Sequence, residues 1–450
     1  MTKRFLHKTF IALAFTGLSA GAFAYDFSAV NNGQTIYYNI TSSTAPMTVD
    51  VTYETLSSNS YSGSVEIPVA VSHNGNSYSV TGIGNKAFRS CLLTSVTIPN
   101  SVTIIGNEAF SYCVQLTSVT VPNSVTMIGG AAFFYCGLTS VTVPNSVATI
   151  GDIAFSNCGR LTGIDVEANN SYYSSVGGVL FNKTKTVLIQ YPGSKTGSYA
   201  VPNSVITIGD RAFAYCSSLT SVTIPNSVTE IENYAFRECS HLTSIDVEES
   251  NSYYSSVSGV LFNKLQDRLI QCPIAKTGNY TIGNLVTTIG DMAFAYCSGL
   301  TSVTIGNSVT TIENNAFNNC NGLTGLYVKV QTPPALGNDV FTNVSSAIPV
   351  HVLCGKLNAY QSATGWNSFK NYIGDIPFAI TVQSNNIAMG TASIIKSNSS
   401  CTDNTAIIKA VSNQGYRFVK WNDNNTENPR TIAVTQDAVF MAMFDVVTQP

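Results

Sequence analysis

The side chains best suited to chemistry in this 450-residue chain are its eleven cysteines, and eight of them occupy one recurring phrase. Ala-Phe-x-x-Cys is written eight times, placing Cys91, Cys113, Cys136, Cys158, Cys216, Cys239, Cys297 and Cys320 at a common position. A thiol acts as nucleophile, metal ligand or disulfide partner only with a companion group. No Cys-x-x-Cys pair exists, and His73, His241 and His351 are isolated from one another, which argues against a metal site. Beyond residue 24 there is no Gly-x-Ser-x-Gly elbow, and the histidines lack a nearby nucleophile signature. Glu230, Glu232 and Glu238 fall at variable positions of the repeat and read as solvated surface. No catalytic residue, metal ligand or cofactor site is assigned, and the expected class is non-enzymatic.

The same spacing sets what the cysteines do. Successive intervals are 22, 23, 22, 58, 23, 58 and 23 residues, so stacked units bring the thiols into a column. Neighbouring rungs about 4.8 Å apart fall inside the Cα window of a disulfide, but ladder side chains point in parallel. Buried, reduced thiols acting as small hydrophobes are expected.

One unit serves as a template. Leu116, Val119 and Val121 alternate with small polar residues, reading as a short strand with one buried face, which Pro122 ends. Residues 125–128 turn two branched side chains inward before Gly129; glycine recurs there as Gly84, Gly106, Gly151, Gly209 and Gly290, suggesting a tight bend or a positive φ. Ala132-Phe133 and Cys136 then close the coil in one helical or 3₁₀ turn, with Phe133 at its centre. A single coil leaves both open sides wet, so stability has to come from its neighbours.

The two long intervals are duplicates. Asn170-Ser171-Tyr172-Tyr173-Ser174-Ser175-Val176 returns 81 residues later as Asn251-Ser252-Tyr253-Tyr254-Ser255-Ser256-Val257. Each interval holds an extra unit of 35 residues, read as a β-hairpin in which residues 179–181 pair with 187–191, followed by a return strand at 199–201.

Only 10% of residues are charged, against roughly 25% in ordinary soluble proteins. The net charge of −3 leaves no electrostatic footprint for nucleic acid. Lys3, Arg4 and Lys8, an apolar run over 10–18, and Ala22-Phe23-Ala24 predict a signal peptide cleaved near Ala24. Secretion or surface display without membrane insertion follows as the expectation, since the apolar run is well short of the ~20 residues that span a bilayer. The predicted organisation is a signal peptide at 1–24, an N-terminal β cap at 25–82, a solenoid at 83–330 with hairpin inserts at about 165–204 and 246–285, a C-terminal cap at 331–377 and a small β-rich module at 378–450.

Leu219-Thr220-Ser221-Val222-Thr223-Ile224-Pro225, Ile208-Gly209-Asp210-Arg211-Ala212-Phe213 and Gly178-Val179-Leu180-Phe181-Asn182-Lys183 resemble the BspA-like class of bacterial leucine-rich-repeat surface proteins. The resemblance covers roughly residues 30–375. It implies a right-handed leucine-rich-repeat solenoid, mainly β, with short strands plus one helical or 3₁₀ turn per coil, and an association with adhesion to host matrix proteins and other cells. Residues 415–421, Asn428-Pro429-Arg430 and residues 440–444 resemble the divergent B-repeat module first named from internalins, with Asn422-Asp423-Asn424-Asn425 where a glycine is expected in the turn. No ligand residues come with either resemblance.

The expected function is therefore a protein-interaction scaffold outside the cell, with an extracellular protein as partner. A glycan ligand, or a spacer role presenting the C-terminal module, are the alternatives. Hydroxyl columns along the first strand, exemplified by Thr117, Ser118 and Thr120 and by Thr220, Ser221 and Thr223, offer one candidate surface. Specific recognition relies more on aromatic anchors, which favours Tyr172, Tyr173, Tyr253 and Tyr254 in the inserts.

Overall fold

A period of 22 or 23 residues obliges each coil to satisfy its backbone against the coils beside it, and the computed structural model shows how this is done on three sides. The model describes residues 25–55, 60–398 and 400–447; the expected export signal lies outside the described residues. Two units are distinguished, Met1–Phe155 with Val166–Tyr172, and Ser156–Asp165 with Tyr173–Pro450.

In the first unit, Phe27–Asn31, Gln34–Ser42 and Thr48–Thr52 form an antiparallel meander. Thr48–Thr52 pairs in parallel with Asn76–Ile83, and the ladder continues through two-residue strands at Ile104–Ile105, Met127–Ile128 and Thr149–Ile150. A second ladder pairs Ser62–Glu66 with Leu92–Thr97. The template run 116–121 carries no regular strand. Two residues, Val114 and Gln115, separate its Cys from its Leu, whereas the flanking coils have one, Leu92 and Gly137. Two residues also separate Cys216 from Leu219 and Cys297 from Leu300, where strands do form, so this spacing does not explain the missing strand.

The second unit repeats the scheme twice. Tyr173–Val176, Val179–Asn182 and Val187–Gln190 make a three-stranded antiparallel meander, with one strand more than the predicted hairpin, and Val187–Gln190 passes into the parallel ladder through Thr207–Ile208. Gly197–Ala200 returns beside Leu219–Ile224. The second insert reproduces this with Tyr254–Val257, Val260–Asn263, Arg268–Gln271 and Gly278–Thr281. The coils end on the helix Leu357–Ser362 and a 3₁₀ turn at Trp366–Ser368, where Tyr360 Oη donates to the Val330 carbonyl (2.8 Å) and Trp366 Nε1 to that of Pro334 (2.9 Å). Beyond lie two three-stranded sheets around Trp421, Ile408 and Phe444. In their turn Asn424 takes the positive φ (66°) for which a glycine was expected.

The third side differs in detail from a helical turn. Bonds of i to i+3 type are present, from the N–H of Ala87 to the Gly84 carbonyl, Arg89 to Lys86 and Cys91 to Phe88 (3.0–3.2 Å). The intervening N–H groups of Lys86, Phe88 and Ser90 instead donate to Asn107, Ala109 and Ser111 of the next coil (2.7–2.9 Å). This alternation requires a left-handed residue in every tight turn: Lys86 (φ 62°) and Ser90 (60°), Glu108 and Tyr112, Ala131 and Tyr135. Each costs on the order of 1 kcal/mol for a non-glycine residue, comparable with one net hydrogen bond, which the turn secures from its neighbour. A helix would direct all its N–H groups within its own segment and leave this side of the stack unpaired.

Inside each coil the phenylalanine of the repeated phrase forms a column. Phe88, Phe110, Phe133 and Phe155 stack at 5.1, 5.2 and 5.6 Å in the first unit, and Phe294, Phe317 and Phe341 at 4.8 and 5.5 Å in the second. The cysteines are more than hydrophobes. Cys113 Sγ donates to the Phe88 carbonyl (3.0 Å), Cys136 to Phe110 (2.8 Å), Cys239 to Phe213 (2.9 Å) and Cys320 to Phe294 (2.9 Å), so each thiol ties one coil to the phenylalanine of the last. Burial pushes the Cys239 and Cys320 thiols up to about 12. Of the cysteines off the ladder, Cys272 is buried, while Cys354 and Cys401 form a disulfide.

The recurring glycine answers to close approach, since none of these positions has positive φ. A Cβ on Gly129 would lie 2.5 Å from the Asn107 nitrogen, whereas one on Gly159 meets nothing within 4 Å. Gly129→Ala should therefore lower the thermal midpoint by several degrees and Gly159→Ala leave it unchanged, and equal midpoints would refute the contact. For the thiols, alkylation at pH 8 followed by mass spectrometry should leave the nine buried cysteines unmodified in the native protein and label them in denaturant. A native rate within tenfold of the denatured rate would contradict their burial.

Candidate functional site

The 81-residue duplication lets one insert be compared with the other. Both are fastened by a buried asparagine. Asn251 Nδ2 donates to the carbonyls of Pro225 (2.8 Å) and Val228 (3.0 Å), while its Oδ1 accepts from the N–H groups of Tyr253 and Tyr254 (2.8 Å each). Asn170 does the same with Pro144, Val147 and Tyr172.

The copies diverge on the turn side, where the insert replaces the usual run of tight turns. Around the first insert, Ser156 Oγ donates to the buried Gln190 (3.1 Å), and Tyr191 packs on Phe213 (5.3 Å). Eighty-one residues on, Arg237 stands in place of Ser156, Glu238 of Asn157, Arg268 of Val187, Cys272 of Tyr191 and Tyr234 of Ile153. A slot of about 240 Å³ opens on this side of the second insert. Phe236, Ile270 and Ile274 provide its apolar lining; Tyr234, Tyr254, Tyr296, Arg237, Glu238, Arg268 and Asp291 bring polar groups.

These polar groups are mostly committed to one another. Arg268 Nη1 and Nη2 donate to Glu313 Oε1 and Oε2 at 2.7 and 2.5 Å, a bidentate pair, and Glu313 Oε2 also accepts the Asp291 N–H (3.0 Å). Glu313 occupies the repeat's glycine position, and Glu232 at the same place accepts the Asp210 N–H (2.6 Å). Glu232, which reads as solvated surface in the sequence, and Glu313 thus both bind backbone. Arg237 Nε donates to Glu238 Oε1 (3.1 Å), and the Arg211 guanidinium lies 5.1 Å from the Tyr234 ring centre. Tyr254 Oη accepts the Ile231 N–H (2.9 Å). Asp291 Oδ1 is buried, and the Asp291 carboxyl meets the Tyr234 phenol and the charge of Arg268. Hydrogen bonding from Arg268 holds the Glu313 carboxyl below its ordinary range, and the charge of Asp291 raises the Tyr234 phenol.

Of the tyrosines singled out from the sequence, Tyr254 lines the slot. Tyr172 and Tyr253 are more than half exposed, and Tyr173 is half-buried at the start of Tyr173–Val176. The hydroxyl columns lie on a different side. Thr117, Ser118, Thr120, Thr220 and Thr223 are exposed and Ser221 is half-buried. Thr243 Oγ1 donates to the Thr220 carbonyl (2.9 Å) and Thr139 Oγ1 to that of Thr117 (3.3 Å), so threonines of this column also bind backbone between coils. Arg237, Arg268, Asp291, Tyr234 and Tyr296 escaped the sequence reading. Aligning the two copies and asking where charge and aromaticity were gained would have found the first, second and fourth; Asp291 and Tyr296 have identical counterparts in Asp210 and Tyr215.

Comparison with protein families agrees with this geometry. The BspA type leucine rich repeat region matches in six copies over residues 81–200, 189–267 and 270–371. The chain belongs to the BspA-type leucine-rich-repeat family. Residues 380–448 match the divergent InlB B-repeat domain. Among solved structures the chain is similar to a leucine rich cell surface protein from Faecalibacterium prausnitzii, at 25% identity and a TM-score of 0.38, over 67% of this chain and 94% of that one. It is also similar to the pneumococcal vaccine antigen PcpA (19% identity, TM-score 0.48, 78% and 99% covered). A leucine-rich repeat protein from Eubacterium ventriosum gives 22% identity and a TM-score of 0.41, with 66% and 90% covered. No curated protein matches. For this BspA-type chain the repeat model accounts for the coils, and the slot arises from what the second insert adds.

The lowered Glu313 carboxyl gives a signed pH dependence. Its ion pair contributes stability above the unfolded carboxyl pKa of about 4.3, and that contribution is lost as pH falls through the lower folded value. Glu313→Gln should lower the thermal midpoint at pH 7, with the gap from the parent closing as the pH falls through the lowered pKa of the folded carboxyl. A gap that persisted there would assign the effect to packing.

Proposed function

We propose that this chain is an exported, non-enzymatic binding protein, an adhesin-like scaffold that holds an extracellular protein ligand. Membership of the BspA-type family supports a protein-interaction scaffold. Among the described residues no group of three or more metal-binding side chains occurs, and no helix is long and apolar enough to cross a membrane. The observation that carries the reading is the divergence of the two inserts. Packing alone would keep both copies alike, as it keeps Asn170 and Asn251, yet the second copy exchanges compact filling side chains for arginine, glutamate and tyrosine around an open slot.

Immobilised protein covering residues 25–450 should capture matrix proteins from a defined panel saturably, with capture unaffected by enzymatic removal of their glycans. Loss of capture on deglycosylation, with direct binding on a glycan array, would replace the protein ligand by a carbohydrate. Failure to capture any panel member while the isolated C-terminal residues bind would favour a spacer.

A further inference from the structure

We infer that a groove beside the last coils of the second unit binds a neutral sugar unit of a glycan; this goes beyond the scaffold reading and stands or falls without it. The strands Leu300–Ile305, Gly325–Val328 and Pro349–Leu353 set Thr304, Tyr327 and His351 in one row across the ladder. His351 stacks on one side of the Tyr327 ring, with centroids 4.4 Å apart and planes 6° from parallel. Its other neighbour in the row, Thr304, is a much smaller side chain, and both line a groove of about 500 Å³. That volume falls within the range of small-molecule sites.

Two lining residues mark where this coil departs from the repeat. The position of Tyr327 is held by threonine elsewhere, as at Thr223 and Thr304, and that of Lys329 by proline or glycine, as at Pro225 and Gly306. Both replacements are exposed, so packing of the core does not require them.

The chemistry of the groove is mixed in sign and matches a polyol. Leu353, Ile376 and Pro377 give it an apolar part. Asp437 accepts from Asn307 Nδ2 (3.2 Å) and from the Ala379 N–H (2.7 Å), and Asp375 from His351 Nδ1 (2.8 Å). A carboxylate offers about four lone-pair sites, so both retain capacity for hydroxyl donors. Lys329, which forms no ion pair among the described residues, and the Asn284 amide supply donors to hydroxyl oxygens. A pyranose carries hydroxyls of both kinds at its edge, and its C–H face is apolar and suited to the negative face of the Tyr327 ring. An acidic sugar or a phosphate would meet two carboxylates, and a cation would meet the Lys329 ammonium. A peptide added as a further strand needs an unpaired edge, and all three strands of this row are paired on both sides.

The test titrates lactose, N-acetyllactosamine, cellobiose and maltose into the protein covering residues 25–450, beside sialyllactose and a blocked Gly-Lys-Gly peptide, read by saturation-transfer NMR. At least one neutral disaccharide should bind, about fivefold or more tightly than sialyllactose or the peptide. Preference for the galactose-ended pair points to glycoprotein chains as the source, and preference for the glucose pair to a polysaccharide. Tyr327→Leu should weaken binding about tenfold, the loss expected when a ring-stacking contact is removed, while Tyr327→Phe retains most of it. Thr304→Phe, which fills the groove beside the ring, should also abolish binding, and Tyr112→Leu, at an exposed ring of the first unit, should change nothing. Circular dichroism confirms that each variant is folded; should Tyr327→Leu fail, Thr304→Phe carries the test. No binding of any neutral disaccharide up to about 50 mM, tighter binding of sialyllactose or the peptide, or binding unchanged in Thr304→Phe overturns the assignment.

Discussion

Wherever one run of tight turns faces another, the coil hands alternate backbone N–H groups to its neighbour, and much of the structure follows from that requirement. Two strand ladders are easily built by branched and threonine side chains. The turn side reverses direction within a few residues and still has to pair, which it does through left-handed residues at positions held by lysine, glutamate, tyrosine and methionine. Coils drawn together this closely leave no room for a Cβ on Gly129, bring the phenylalanine rings within about 5 Å, and set the thiols of Cys113, Cys136, Cys239 and Cys320 against the preceding phenylalanine carbonyl. Stability is consequently shared between neighbours, and no coil is a folding unit by itself.

Much of this was legible beforehand. The spacing of Phe and Cys announced a stack with an inward column, because a buried position in a repeat tolerates little change in volume. The left-handed turn positions were not legible, since Lys86, Tyr112 and Met292 share no chemical preference for positive φ; the pairing of neighbouring coils imposes it on them. The strand expected at 116–121 is absent, although the same apolar alternation and spacing give a strand at Leu219–Ile224. The Cys354–Cys401 bond also went unread, as both residues lie outside the repeat and their proximity depends on how the cap is packed.

The candidate site shows the same division between periodic and particular. Tyr254, which lines the slot, was picked out because tyrosine is a good anchor, and its counterpart Tyr173 was picked out on the same grounds. What separates them is the company around them. Tyr234, Arg237 and Arg268 line the slot with Tyr254, where the first copy has Ile153, Ser156 and Val187. Duplication followed by divergence thus supplies within a single chain what a family of sequences would otherwise provide, a background in which shared residues mark packing and altered ones mark a change of task. Glu232 and Glu313 caution against a simple version of that rule, since both depart from the repeat's glycine and both bind backbone N–H groups.

The bond between Cys354 and Cys401 has a mechanical meaning. It joins the end of the strand Pro349–Leu353 to a point 47 residues further on, inside the C-terminal module. Tension applied to the chain beyond residue 401 enters the coils through sulfur at residue 354. The intervening segment, including the helix Leu357–Ser362 and the Trp366 plug that closes the core, is left outside the load path. The end of the stack is therefore guarded against being peeled open from its C-terminal side, a useful property in any protein that has to hold on while something pulls.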